Sequence, residues 1–128
     1  AYNPETKVAF VPTNTWAMSL TGHKPEDIQY EPGKVFMGMD YKMHTLGGSI
    51  GRLRAFDVQK RKWLWEIPSP LPVFAGVLAT KSGLVFTGDQ LGFFYAVDAK
   101  SGKVLWKYQT GSGINASPVT YEIGGRQY

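Results

Sequence analysis

A phrase that occurs twice, 41 residues apart, constrains the fold of this chain more than any other feature. Four residue types recur at the same offsets: Gly51, Ala55, Asp57 and Trp65 in the first copy, and Gly92, Ala96, Asp98 and Trp106 in the second. A fixed period of about 40 residues is typical of β units that stack on neighbouring copies, because one unit is too small to bury a core alone. The 15 Gly and 8 Pro among 128 residues fit many short strands joined by tight turns.

The repeats predict an all-β fold, a partial β-propeller of about two and a half four-stranded blades. Because a propeller usually closes with roughly four to eight blades, we expect the chain to be a fragment of one larger propeller domain. A polar, Pro- and Gly-rich excursion interrupts the repeats at about 22–49. The predicted repeats themselves cover about 50–67, 75–108 and 115–128.

Short apolar runs bounded by turn residues predict the individual strands. The second repeat gives the cleanest set, and one further strand is expected inside the excursion, at 35–37. The other predicted strands are 8–11, 52–56, 63–67, 77–80, 84–87, 93–97 and 104–108.

The net charge of +4 does not point to nucleic acid binding. The 14 basic residues are scattered, and the one tight cluster, at 60–62, lacks the interleaving of basic and aromatic residues that nucleic acid surfaces show. A solvated turn explains this cluster, and we expect no nucleic acid partner. The chain has no cysteine, so thiols say nothing about its redox compartment.

Each copy of the phrase contains an eleven-residue unit that runs from an alanine to a tryptophan. The aspartate of the unit can cap its own turn, and a glycine such as Gly102 can take a positive φ there at no steric cost. The alanine leaves room, so an indole can lie across a bare peptide. The residues expected to form this structural docking arrangement are Ala55, Trp65, Ala96, Gly102 and Trp106.

This tryptophan-docking unit resembles the motif that girdles the eight-bladed propeller of the quinoprotein alcohol dehydrogenases, which carry pyrroloquinoline quinone (PQQ). The resemblance extends over nearly the whole chain, and it covers that family's C-terminal blades. In that family Gly is usual at the turn positions that Lys7 and Arg61 occupy here. The segments that carry the resemblance are 1–6, 11–14, 76–80, 83–88, 110–114 and 118–121.

The resemblance implies part of a periplasmic enzyme that oxidises primary alcohols to aldehydes with PQQ as electron acceptor. It also implies a calcium or lanthanide ion and a cytochrome c-type electron acceptor, and it leaves a homodimer open. In the family the metal ligands and the catalytic aspartate lie in earlier blades. We therefore expect no catalytic or metal-binding residue in this fragment, and no activity from the fragment alone.

Three residues are candidates for contacts in the cofactor and substrate region. Asn14 matches the family's asparagine that hydrogen-bonds the quinone, and Phe74 matches a position usually held by a tryptophan whose indole lies at the cofactor. Phenylalanine keeps the apolar wall but has no N–H donor. Trp16 follows Asn14 by two residues, which places both on one face of an extended chain, and it could line the substrate funnel.

The residues alone also allow plainer interpretations. Asn14 is typical of a turn, and Phe74 and Trp16 are typical of a core. His23 and His44, with Asp40 between them, have no ligand spacing that supports a metal site. Asp57 and Asp98 recur in the repeat, which favours turn capping over an acid–base pair. The alternative function is a non-catalytic propeller scaffold with PQQ-like repeats that binds other proteins.

Overall fold

The computed structural model describes the backbone of residues 1–128 and every side chain except that of Thr45. Its regular structure is β throughout, apart from a short 3-10 helix at Pro25–Asp27. The strands are β1 (Tyr2–Asn3), β2 (Val8–Asn14), β3 (Trp16–Gly22), β4 (Met39–Thr45), β5 (Gly51–Asp57), β6 (Lys62–Ser69), β7 (Leu78–Ala79), β8 (Leu84–Gly88), β9 (Phe93–Asp98), β10 (Val104–Gln109), β11 (Glu122–Ile123) and β12 (Arg126–Gln127).

The strands form two complete antiparallel sheets of four, which we call the first and second blades. Their strand orders are β1-β2-β5-β6 and β7-β8-β9-β10, so each blade follows the chain except for one insertion. A further pair, β11-β12, turns at residues 124–125 and lies where the sequence predicts the third repeat. The all-β prediction is confirmed.

The excursion is a two-stranded ribbon, β3 paired with β4, inserted between β2 and β5 of the first blade. It begins at Trp16, earlier than the polar stretch suggests. The backbone N–H of Thr15 donates to the carbonyl of Ile50 at 2.8 Å and closes the base of the ribbon. The strand predicted at 35–37 is wrong: those residues are irregular, since positive φ angles at Gly33 and Gly38 turn the chain on either side.

The core lies between the facing sides of the two blades. In β5 the side chains alternate strictly between buried and partly exposed, so Leu53 and Ala55 face the second blade. One blade alone could not exclude water from this layer, which is why the repeat must stack. The buried cluster consists of Val8, Phe10, Leu53, Ala55, Val85 and Val97.

Trp65 docks the first blade onto the second. Its indole Nε1–H donates to the carbonyl of Ala99 at 3.0 Å. The ring lies so close over Gly102 that a Cβ on that glycine would be 2.7 Å from the indole Cδ2. Glycine is therefore required at position 102 for two reasons: its φ is positive, at 74°, and a side chain there would collide with the indole.

A register shift next to the docking tryptophan recurs in both blades. In the first blade the shift falls between Ala55 and Phe56, so Trp65 pairs with Ala55 while Trp63 pairs with Phe56 on the outer face. The second blade has the same irregularity between Val104 and Trp106. Trp106 itself is 51% exposed in this structure, and its ring lies against those of Phe94 and Tyr108.

The two turns that recur in the repeat, including the one on which Trp65 docks, are capped by their own aspartates. Asp57 Oδ1 accepts the backbone N–H of Lys60 at 2.8 Å, and Asp98 Oδ1 accepts that of Ser101 at 2.7 Å. The backbone N–H of Lys60 lowers the pKa of the Asp57 carboxyl below its ordinary value. The Ser101 hydroxyl and then its backbone N–H lower the pKa of Asp98. Both carboxylates thus stabilise turns.

Trp65→Ala in the full-length protein should lower the free energy of unfolding by about 3 kcal/mol, because it removes a large ring from between two blades. Trp65→Phe keeps most of the ring and loses the bond to Ala99, so it should lower the free energy by about 1 kcal/mol. Denaturant unfolding measures both. Equal losses in the two variants would show that the hydrogen bond, and not the ring, joins the blades.

Arg61→Gly should be neutral or raise the free energy of unfolding by about 1 kcal/mol, because Arg61 has a φ of 52° that costs a non-glycine residue about that much. The matched change, Gly102→Ala, should destabilise because its Cβ would meet the Trp65 ring. Thermal melting of the two variants checks this pair. A clear loss of stability in Arg61→Gly would contradict the repeat equivalence of the two turns.

Candidate functional site

One end of the first blade gathers the residues that the sequence singles out. Because β2 and β5 run antiparallel, Asn14 at the end of β2 lies opposite Gly51 at the start of β5. Ser69, at the end of β6, pairs with Gly51 on its other side. Residues 70–77, which we call the crossing segment, connect this end of the first blade to β7 of the second.

Asn14 binds the crossing segment through both ends of its side-chain amide. Its Nδ2 donates to the carbonyl of Val73 at 3.1 Å, and its Oδ1 accepts the backbone N–H of Val73 at 2.7 Å. The two bonds together fix which side of the amide carries oxygen and which carries nitrogen. One Nδ2–H is left over, and it is held in a defined direction on an exposed residue.

We call the two hydrogen bonds between Asn14 and Val73 the Asn14 clip. A close approach of the crossing segment to Gly51 makes the clip possible. A Cβ on Gly51 would lie 2.3 Å from the carbonyl oxygen of Leu71 and 2.9 Å from the nitrogen of Val73. Only glycine leaves that space open. Val73 is 6% exposed and lines a cavity together with Leu53 of the first blade and Val97 of the second, so the segment is held by its own residue as well as by Asn14.

Phe74, the next residue, lies against Trp16 at the start of the ribbon. The ring centroids are 5.8 Å apart with an interplanar angle of 51°. Neither ring belongs to the core, since Phe74 is 51% and Trp16 40% exposed. The structure therefore brings Asn14, Trp16 and Phe74 together as a polar amide next to an open aromatic wall.

The ribbon continues this wall outward. Cross-strand partners share a face, so the pairs of Met18 with Met43 and of Leu20 with Tyr41 lie on the same side as Trp16. These side chains are half-exposed in the structure. The result is an amphipathic ribbon with an apolar face that begins at the Trp16–Phe74 contact.

The polar face of the ribbon holds the two histidines. Ser19 Oγ lies 2.7 Å from Nε2 of His44, and Nε2 of His23 lies 3.0 Å from a carboxylate oxygen of Asp40. Each histidine thus has a partner of its own. Among the side chains that the structure describes, no group of three His, Cys, Asp or Glu is placed to hold a metal ion.

The repeated aspartates lie away from this end. Val8, at the other end of β2, pairs with Asp57, and Leu84 pairs with Asp98 in the same way. Both carboxylates therefore lie at the repeated turns that they cap, and not next to Asn14. A separate finding concerns membranes: among the residues that the structure describes, no helix is long and apolar enough to cross a bilayer.

The whole chain matches one known family. The profile described as "Glucose/ethanol/alcohol dehydrogenase, beta-propeller domain" covers residues 1–128. The chain belongs to this PQQ family. Its family membership, its all-β blades and its docking units agree with one another.

Relatives of the chain are quinoprotein dehydrogenases. The quinoprotein alcohol dehydrogenase PedE of Pseudomonas putida is 44% identical over 129 residues, which cover 100% of this chain and 20% of the relative. A lanthanide-dependent methanol dehydrogenase of Methylorubrum extorquens is 37% identical and is covered to 21%. A solved europium-containing methanol dehydrogenase matches 99% of this chain and 22% of its own, with a TM-score of 0.83 and 35% identity. The chain thus spans about one fifth of the length of these relatives.

Sequence reasoning missed three contributors to the site. Val73, Leu71 and Gly51 act through backbone groups or through the absence of a side chain, and no side-chain chemistry marks them. For Gly51 the sequence does carry a signal: the glycine recurs as Gly92 at the same point of the repeat, which indicates that the position needs glycine.

Gly51→Ala in the full-length protein should lower the free energy of unfolding by about 1–3 kcal/mol, because the added methyl would displace the crossing segment. Gly22→Ala is the matched control: it also lies in a strand, and a Cβ there meets nothing within 4 Å, so its effect should stay within about 0.5 kcal/mol. Thermal and denaturant unfolding compare them. Equal effects would show that the space above Gly51 is not critical.

Proposed function

We propose that the protein containing this chain is a PQQ-dependent alcohol dehydrogenase that oxidises primary alcohols to aldehydes, and that this chain supplies one side of the cofactor pocket. Membership of the family and the names of the relatives support the activity. The observation that carries the placement is the Asn14 amide, oriented by Val73 next to the Trp16–Phe74 wall.

The chemistry of these side chains fits a planar quinone. Such a group needs a flat apolar surface against its rings and donors directed at its carbonyl oxygens. In this proposal the free Nδ2–H of Asn14 would donate to a quinone carbonyl and Phe74 would form part of the wall. PQQ, when bound, supplies the two-electron oxidation, and the residues of this chain bind and orient it. Phe74 offers no N–H, so the pocket has one donor fewer than with tryptophan.

Trp16 belongs to the substrate side of the pocket in this proposal. It stands between Phe74 and the apolar face of the ribbon, so an alcohol that approaches the wall would pass its ring. An apolar entrance favours the alkyl part of an alcohol by removing that surface from water. The substrate is therefore a primary alcohol with an apolar substituent.

The remaining parts of the machinery lie outside this chain in this proposal. A calcium or lanthanide ion and the catalytic aspartate are supplied by other blades, and two relatives carry a lanthanide in their names. Such an ion would act as a Lewis acid. We further propose a periplasmic location and a cytochrome c-type electron acceptor, both by analogy with the family, and a homodimer remains open to measurement by sedimentation.

Changing Phe74 in the full-length protein tests the pocket. Phe74→Ala should reduce PQQ occupancy roughly tenfold or more, since it removes an aromatic wall worth at least about 1.4 kcal/mol of binding. Phe74→Trp should hold or improve occupancy, because the larger ring adds surface and a donor. Absorbance of the bound cofactor, dye-linked alcohol oxidation and thermal melting give the three readouts.

Phe36→Ala is the matched control, because Phe36 is 52% exposed and packs against Tyr30 inside the excursion, away from the Trp16–Phe74 contact. It should leave occupancy unchanged. If neither Phe74 variant alters occupancy or turnover, Phe74 is ordinary surface packing. If the full-length protein binds no PQQ at all and oxidises no alcohol, the scaffold interpretation replaces the enzyme.

A further inference from the structure

The Asn14 clip has a counterpart in the second blade. Asn14 and Gln90 occupy the same place in their blades, and so do Val73 and Ile114. Val73 and Ile114 are one 41-residue period apart, whereas Asn14 and Gln90 are 76 residues apart because the ribbon lies between them in the sequence. The strand pairing establishes the first equivalence: Val8 of β2 pairs with Asp57, as Leu84 of β8 pairs with Asp98. Each of the two amide side chains therefore lies at the same end of the second strand of its blade: Asn14 is the last residue of β2, and Gln90 comes two residues after β8.

The counterpart makes the same contact with its own connecting segment. Nε2 of Gln90 donates to the carbonyl of Ile114 at 3.2 Å, as Nδ2 of Asn14 does to Val73, and it also donates to Oδ1 of Asn115 at 2.6 Å. The N–H of Ile114 donates to the backbone carbonyl of Asp89 at 2.9 Å. In the second blade, the Gln90 side chain bonds the carbonyl of Ile114 and the Asp89 carbonyl bonds its N–H, whereas in the first blade Asn14 bonds both groups of Val73.

The reason for this difference is the ribbon. In the second blade the chain turns tightly from β8 to β9, and the carbonyl of Asp89 in that turn lies next to the segment it holds. In the first blade the chain leaves β2 for β3 at Thr15, so that turn does not exist. The Oδ1 of Asn14 takes the place of the missing carbonyl, at 2.7 Å from the nitrogen of Val73.

The close glycine approach is also repeated. A Cβ on Gly92 would lie 2.7 Å from the carbonyl oxygen of Ser112, as one on Gly51 would meet Leu71. Gly92 and Ser112 follow Gly51 and Leu71 by 41 residues each. Both blades therefore draw their connecting segment over the strand end by the same two devices, a bare glycine and a side-chain amide.

We propose that Asn14 is a positioning residue: by bonding both backbone groups of Val73, it holds the crossing segment so that Phe74 stands against Trp16. This role differs from a direct contact between Asn14 and a cofactor, and it operates in the cofactor-free protein. Only its consequence for cofactor binding rests on the proposed function. Since the clip recurs where the second blade has no aromatic wall (Asn115 stands in the place of Phe74), it belongs to the blade architecture.

Amide hydrogen exchange in the cofactor-free full-length protein measures the clip directly. Asn14→Ala should speed exchange at the Val73 amide at least tenfold and leave residues 110–117 unchanged. Gln90→Ala is the matched control and should have the reverse pattern: exchange should become faster in residues 110–117 and should be unchanged in residues 70–77. An Asn14→Ala protein with unchanged exchange at Val73 overturns the proposal.

Asn14→Asp separates positioning from direct donation. Its carboxylate can still accept the N–H of Val73, but its second oxygen would face the Val73 carbonyl to which Nδ2 now donates. Exchange at Val73 should therefore be faster than in wild type and slower than in Asn14→Ala, and the variant has no N–H for a ligand. PQQ retention should fall less in Asn14→Asp than in Asn14→Ala if positioning dominates. Asn14→Asp exchange as fast as that of Asn14→Ala contradicts the clip. Equal loss of cofactor in both variants, with Val73 still protected in Asn14→Asp, assigns Asn14 to direct contact and overturns positioning.

The two proposals fail in different ways. Faster exchange in Asn14→Ala together with unchanged cofactor retention would leave the clip in place and remove Asn14 from the pocket. Lower retention in Asn14→Ala with unchanged exchange would leave the pocket in place and remove the clip. Lower retention in Gln90→Ala, equal to that in Asn14→Ala at equal melting temperature, would show a general effect of blade loosening and contradict positioning of Phe74.

Discussion

The contact of the Trp65 indole with the peptide of the second blade is the interaction on which the rest of the structure depends. Each blade is a single sheet, and a single sheet cannot keep water off both of its faces. The indole fixes the separation of the two sheets, because its N–H bonds to Ala99 and its ring rests on Gly102. At that separation Phe10 and Val85 lie in one common core.

The site at the blade end follows from the same geometry. Once the blades are set at a fixed distance, the segment between them has to cross the end of the first one. Gly51 lets the backbone pass close, and Asn14 holds it there. Phe74 is then held at the surface by its backbone, so its side chain does not have to be buried to keep it there. The position of Phe74 in the aromatic wall is thus set by backbone contacts of the residue before it, Val73.

The 41-residue period predicts the main strands and turns of the two blades and the docking of Trp65, because each of these leaves a local mark in the sequence. The ribbon was harder: β3 starts without a Gly or Pro before Trp16, and the apolar stretch at 35–37 is irregular because two glycines with positive φ enclose it. The clip could not be predicted. It joins residues 59 apart in sequence through a backbone that any amino acid could supply.

The ribbon shows how separable the parts of this blade are. More than thirty residues leave the sheet between β2 and β5, yet the two strands pair in continuous register from Val8 to Asn14. Loop closure becomes only slowly more expensive with length, and the bond from Thr15 to Ile50 joins the two ends at the base. Evolution can therefore rebuild the surface above the aromatic wall, in length and in composition, while the blade beneath it stays the same.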